Sequence, residues 1–166
     1  MTDTPGTPRP DRSVLLCFDG SEDASASITR AGALLRPGHA VVVTVWEPAK
    51  EWAGYDPATI ITAPLTRLAS KELDLDEIAR DVAQEKLERG IQLAREAGFD
   101  PQGRLARGKA WRAICDVANE LDASLMVLGA RGLSRVPSAL LGSVSAAVTV
   151  HARRPVLVVS QAEASL

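Results

Sequence analysis

An unbroken apolar run, Leu125-Met126-Val127-Leu128, is followed at once by Gly129. A strand that is apolar at every position leaves no face for water, so it belongs inside a parallel sheet covered by helices on both sides. Next comes Gly129-Ala130-Arg131-Gly132, and then, past nine further residues, Gly142-Ser143. From Val144 to Val150 the apolar positions are spaced like a helix face, which places a helix start at Gly142-Ser143. A glycine-rich connection from a strand's carboxyl end to a helix's amino end is a natural anion site. Glycine allows φ > 0 and a close approach of backbone to ligand, and the first N–H groups of the helix have no intrahelical partner. The charges agree, because Arg131 and Arg135 lie in the stretch and no Asp or Glu occurs between Gly129 and Val150. The loop is suited to negative charge, most simply a phosphate chain. On spacing alone the same glycines serve equally well to shape a tight turn and pack closely.

The rest of the chain alternates strand and helix. Val14 to Phe18 reads as a central strand, ended by Asp19-Gly20-Ser21, with Ser21 as helix N-cap and Glu22 and Asp23 in the first turn. Ala24, Ile28, Ala31 and Leu35 form a helical stripe that Pro37-Gly38 stops. Ala40 to Trp46 is a second, β-branched strand. A long helix begins at Asp76, with Ala79, Val82, Ala83, Leu87, Ile91 and Ala94 on its apolar face and Gly98 as its cap. A short third strand is placed near Gly103 to Ala106. Gly108-Lys109-Ala110 then leads into a helix carrying Trp111, Ile114, Cys115, Ala118 and Leu121 on one face. Val156 to Val159 is the last strand. Five strands alternating with four helices, without internal repeat, predict an α/β fold: a doubly wound, Rossmann-like parallel sheet with helices on both faces.

At 166 residues the length suits one domain. Residues 1–12 lack an apolar core, which argues for a flexible N-terminal tail rather than a signal peptide, ahead of a domain over 13–161. Residues 48–75 form a variable loop broken by Pro48, Gly54, Pro57 and Pro64, with one short helix from about Pro64 to Leu73. Trp52 and Tyr55 within it are placed either over the ligand site or against a sheet edge or partner chain. A net charge of −2 argues against a general binder of nucleic acid or anionic membrane. No stretch reaches the roughly 18 apolar residues of a membrane span. Cys17 and Cys115 have no framework spacing and read as buried thiols of a reducing cytoplasm. His39 and His151 lack a ligand-spaced partner, so no metal cluster is expected.

The spacing from Gly129 through Gly132 to Gly142-Ser143 resembles the nucleotide-binding loop of the universal stress protein family, in its ATP-binding branch. Phe18-Asp19-Gly20-Ser21 resembles that family's first-strand exit, and Ile28 and Ala31 fall on its first helix. Gly108 with Ile114 resembles the start of its third helix, and Pro155 to Val159 its last strand. The resemblance spans roughly residues 13 to 160, with a poorly matched segment near 48 to 75.

The resemblance implies strand order 3-2-1-4-5, which reverses between the first and fourth strands. Ligands of such sheets bind where the order reverses, outside the carboxyl ends of the strands. The expected nucleotide contacts are Asp19, Gly20, Ser21, Val45, Leu128, Gly129, Gly132, Gly142, Ser143, Val144 and Ser145. The amides of Gly129, Gly132, Gly142 and Ser143, with the Ser143 hydroxyl, would cradle phosphates, and Ser145 would add a hydroxyl one turn inside. Asp19 suits ribose hydroxyls or a Mg2+ on the phosphates. By resemblance, Asp19, Gly20 and Ser21 line the ribose and adenine side and Val45 meets adenine. The family also implies a homodimer through Val156, Leu157, Val158 and Val159, an apolar edge strand that calls for cover.

The expectation is therefore a cytoplasmic ATP-binding stress-response module with no catalytic residue and at most weak hydrolysis. No G-x-x-x-x-G-K-[ST] or G-x-G-x-x-G occurs, and the glycine loop holds no carboxylate or histidine to activate water. Other readings remain open: a slow ATP hydrolase or transferase with Asp19 holding metal, or a family member that binds partners without ATP. A phospho-receiver domain lacks the clustered acids it would need beside Asp19.

Overall fold

The structure is a computed structural model that describes residues 13–36, 38–48, 74–131 and 141–160. The expectations for the N-terminal tail, Pro37, Trp52, Tyr55, the short helix near Pro64 to Leu73, Gly132 and Arg135 lie outside those residues.

Five strands and four helices alternate along the described chain: β1 (Val14–Cys17), α1 (Glu22–Leu34), β2 (His39–Trp46), α2 (Leu75–Glu96), β3 (Asp100–Arg107), α3 (Ala110–Glu120), β4 (Leu125–Gly129), α4 (Ser143–His151) and β5 (Val156–Val159). The sheet is parallel throughout, in the order β3-β2-β1-β4-β5, as expected. Side chains alternate across a strand, so successive residues of β1 and β4 enter different cores. Leu15, Cys17, Met126 and Leu128 pack with Ile114 and Ala118 of α3 and Val148 of α4. Leu16, Phe18 and Val127 pack on the other face with Ile28 and Ala31 of α1 and Leu87 and Ala94 of α2. This is why both strands are apolar at every position. Cys17 and Cys115 are free thiols buried in the first of these cores.

Helix ends follow local chemistry. The Ser21 hydroxyl accepts the Ala24 N–H at 3.1 Å, and the Asp74 carboxylate accepts those of Asp76 and Glu77. The second helix therefore starts at Leu75, one residue ahead of the expected Asp76. Gly98, at φ +91, closes it in the left-handed conformation. Val82 is 38% exposed and does not belong to its buried stripe, which runs through Ala83, Leu87, Gly90 and Ala94. The buried face is narrower than the apolar pattern because α2 meets the sheet near its edge. Lys109 gives α3 no side-chain cap; instead the Glu47 carboxylate, just past β2, accepts the Ala110 N–H at 3.2 Å.

The third strand is longer than the expected Gly103 to Ala106, running from Asp100 to Arg107. It is an edge strand with a mostly exposed pattern, so it needs neither apolar runs nor β-branched residues. The Asp100 and Gly108 amides point to β2, bonding Gly38 and Trp46 carbonyls. Backbone groups alternate sides along a strand, so Pro101, with no N–H, faces the open edge, where proline is tolerated.

The two helices on one face of the sheet meet at Gly32 of α1, where a Cβ would collide with the carbonyl oxygen of Ala97 and lie 2.8 Å from its Cβ. Gly32→Ala gains about 1 kcal/mol of helix propensity but overpacks rigid backbone at a cost of roughly 1–3 kcal/mol. We expect a net loss in chemical denaturation. Gly38→Ala, with nothing within 4 Å of its would-be Cβ, should stay within about 0.5 kcal/mol of wild type. Equal stabilities for the two variants would refute the contact.

Candidate functional site

The sheet order reverses between β1 and β4, and the two strand ends meet there. At the β1 end, Asp19 Oδ1 accepts the Ser21 N–H at 2.9 Å, and Gly20 between them takes φ +89. This turn delivers Ser21 to the start of α1 and leaves the half-buried Asp19 at the rim. Asp19 therefore serves the turn itself, whatever else it meets at the rim. Thr44 of β2 braces the exit from β1, its buried hydroxyl donating to the Phe18 carbonyl at 2.9 Å.

At the β4 end, Gly129 lies directly on the first turn of α1. A Cβ there would stand 2.7 Å from the Asp23 carbonyl carbon and 2.8 Å from the Ala24 nitrogen. The residues beyond it are tied on three sides. The Ala130 N–H donates to the Val159 carbonyl at 2.7 Å, and the Ala130 carbonyl accepts the Gly142 N–H at 2.7 Å. The Arg131 N–H donates to Asp23 Oδ2 at 3.2 Å. The chain that leaves at Arg131 is therefore pinned back at Gly142, and both sides of the loop base are held against α1 and β5.

Gly142 is the N-cap of α4, without a side-chain capping bond. The first intrahelical bond runs from Ala146 N–H to the Gly142 carbonyl at 2.9 Å. The amides of Ser143, Val144 and Ser145 precede it and have no intrahelical acceptor, at the positive end of the helix dipole. An oxyanion is the partner such a terminus suits.

Not every expected contact has its functional atom facing the crevice. The Gly142 amide is engaged by Ala130, which leaves Ser143 and the amides after it at the open helix start. The Ser145 hydroxyl is buried and donates to the Gly129 carbonyl at 2.7 Å, so it fixes the loop to α4. Leu128 is 3% exposed, its side chain in the core, and only its backbone borders the crevice. Val45 and Val144 are half-buried, each packed against the α3/α4 core.

Asp23 is the residue the sequence did not single out for this site. In the sequence it is a first-turn acid, a helix-end preference with no hint of a contact 108 positions away. Cys17, just below Asp19, has its thiol pKa pushed up by burial first and then by the nearby Cys115 and Asp19, so it stays a neutral thiol. Burial, then Asp116, also raises Cys115. Neither is poised as a nucleophile. Among the described residues no cluster of three or more His, Cys, Asp or Glu is arranged for a metal ion, and no helix is long and apolar enough to cross a membrane.

Comparison with known proteins agrees with the fold. A family model described as the Universal stress protein family matches residues 12–160. A universal stress protein of Bacillus subtilis, YxiE, is 31% identical over 150 residues, covering 88% of this chain and 97% of its own length. A universal stress protein solved in complex with cAMP has a TM-score of 0.58 at 25% identity, covering 89% of this chain and 96% of that one. One from Archaeoglobus fulgidus in complex with dAMP has a TM-score of 0.59 at 19% identity, with 90% and 98% covered.

The contact between Gly129 and α1 gives a direct test. The atoms a Cβ would strike are backbone, so Gly129→Ala should cost roughly 1–3 kcal/mol, lowering Tm by about 2–4 °C per kcal/mol in calorimetry. A Tm equal to wild type would mean that β4 and α1 do not meet as described.

Proposed function

The chain belongs to the universal stress protein family, and from that membership we propose that it binds an adenine nucleotide, ATP in the first instance, in the crevice between the ends of β1 and β4. The observation that carries the proposal is the uncapped start of α4 beside Gly129, held open by the Ala130 to Gly142 bond. The phosphates bind at the amides of Ser143 and its successors and at the Ser143 hydroxyl, with Gly129, Gly132 and Gly142 giving the backbone its close approach. Adenine lies against Val45 and Val144, and Asp19, Gly20 and Ser21 flank the ribose. The complexes of related proteins with cAMP and dAMP support an adenine ligand.

Asp19 fits a Mg2+ carried on the phosphates rather than a metal centre of the protein, since its Oδ1 already accepts a backbone N–H. The half-buried Asp19 and Asp23 both engage amides that shape the site. The role we assign is accordingly binding and release, with nucleotide occupancy biasing partner contacts in a cytoplasmic stress response. We further propose that the protein is a homodimer through β5, where Val156, Leu157 and Val158 are half-buried at the sheet edge.

Thermal unfolding with and without Mg·ATP tests the ligand. At about a hundred times its Kd, a ligand stabilises the native state by roughly 2.7 kcal/mol, which corresponds to a Tm rise of roughly 5–10 °C at this size. GTP should give a much smaller rise. No shift with ATP, in protein free of co-purified nucleotide, sinks the proposal in favour of a family member that acts through partners alone. For the dimer, light scattering on Val158→Lys should report a monomer, because a charge on an edge strand disfavours edge-to-edge pairing. An unchanged mass would place the interface elsewhere.

A further inference from the structure

The second helix carries a cation to the rim of this crevice. The Cβ that Gly90 lacks would lie 2.8 Å from Phe18 Cδ1 and 2.9 Å from Val42 Cγ1, so α2 sits tightly over the exit of β1 and the middle of β2. Helices of a parallel sheet run antiparallel to the strands they connect. One turn before Gly90, toward the carboxyl rim, is Lys86. Its Cγ and Cδ lie 3.4 Å, and its Cε 3.5 Å, from the point a Gly20 Cβ would occupy. The methylene stem is thus laid flat over Gly20, in the space that a glycine at φ +89 leaves free. Lys86 is half-buried and the adjoining Leu87 is 4% exposed, so the stem lies against protein, the arrangement in which a lysine keeps its charged head toward water.

Among the described residues no hydrogen bond or ion pair holds the Lys86 ammonium. Two carboxylates at the crevice already engage amides, Asp19 that of Ser21 and Asp23 that of Arg131. A polyanion entering between them meets like charge, and a cation at the same rim offsets it. Lysine suits that task as a compact charge with freely rotating donors.

We propose that Lys86 contacts a phosphate oxygen of the nucleotide and so makes this crevice favour phosphorylated adenine ligands over adenosine. The proposal rests on the adenine-nucleotide reading above. Titration calorimetry with ATP, AMP and adenosine on wild type, Lys86→Met and Lys86→Arg separates the two ideas. We expect Lys86→Met to bind ATP about tenfold more weakly, as for a lost charge-assisted bond, with adenosine binding within twofold of wild type. Lys86→Arg should recover most of the ATP affinity, and the unliganded variants should melt with wild type. Loss with ATP alone assigns the contact to the outer phosphates, and loss with both ATP and AMP to the phosphate next to the ribose. Lys86→Met binding ATP as tightly as wild type overturns the assignment, and so does an equal loss for ATP and adenosine, which would show that the residue only shapes the rim. If wild type binds none of the three, the adenine-nucleotide reading fails and the Lys86 assignment falls with it.

Discussion

The site depends on the contact between the last residue of β4 and the first turn of α1. Gly129 meets the Asp23–Ala24 peptide with no room for a side chain, and the Asp23 carboxylate holds the next segment of chain through Arg131. One helix start therefore sets the position of a strand end more than a hundred residues away. Parallel pairing of β1 with β4 makes the contact possible, since it brings Leu16 opposite Val127 and sends both chains out of the sheet at one level. In a doubly wound sheet this occurs at the reversal of strand order, where no helix crosses the gap.

Burial on both faces explains which elements were legible from sequence. Leu125 to Leu128 and Val14 to Phe18 supply both cores at once, so their apolar runs marked them as central strands without ambiguity. The third strand, on an edge, carries Pro101, Gly103 and Arg104, and its pairing to β2 is a matter of backbone bonds that side-chain pattern does not encode. The site divided along similar lines. Glycine spacing showed where the backbone comes close, and Ser21 and Gly142 marked helix starts, because those are local preferences. The destinations of the Asp23 carboxylate and the Ser145 hydroxyl are tertiary facts. Ser145, next to the glycine loop, reads from sequence as a ligand donor; the buried Gly129 carbonyl is its partner, because a buried polar group left unmade costs about 1–3 kcal/mol.

The same hydrogen bonds separate two kinds of residue within the glycine loop. Gly142, Ala130 and Ser145 direct their polar groups to one another's segments and hold the loop base in shape. Ser143 and Val144 have amides at the helix start with no intrahelical acceptor. A loop base built this way is preorganised: the frame is satisfied internally, and the amides without an intrahelical acceptor gather at one helix end. Preorganisation of that kind lowers the ordering cost of binding a flexible polyanion.

The two sheet edges differ in what they can do for that frame. The β3 edge is guarded, because Pro101 offers no donor to it and Arg104 keeps a charged side chain on the exposed strand. Among the described residues the β5 edge carries no proline and no charge within the strand; Val156, Leu157 and Val158 are apolar and half-buried. Its last residue, Val159, also accepts the Ala130 N–H, and Ala130 in turn fixes Gly142 at the start of α4. A strand paired to β5 in the proposed dimer would thus be two hydrogen bonds from the helix end assigned to phosphate. Arg30 of α1 reinforces this side of the sheet, its guanidinium donating to the Ser160 carbonyl at 3.0 Å. Association at β5 and ligand at α4 would bear on the same residue, Ala130, and any coupling between them has the shortest path through its peptide groups.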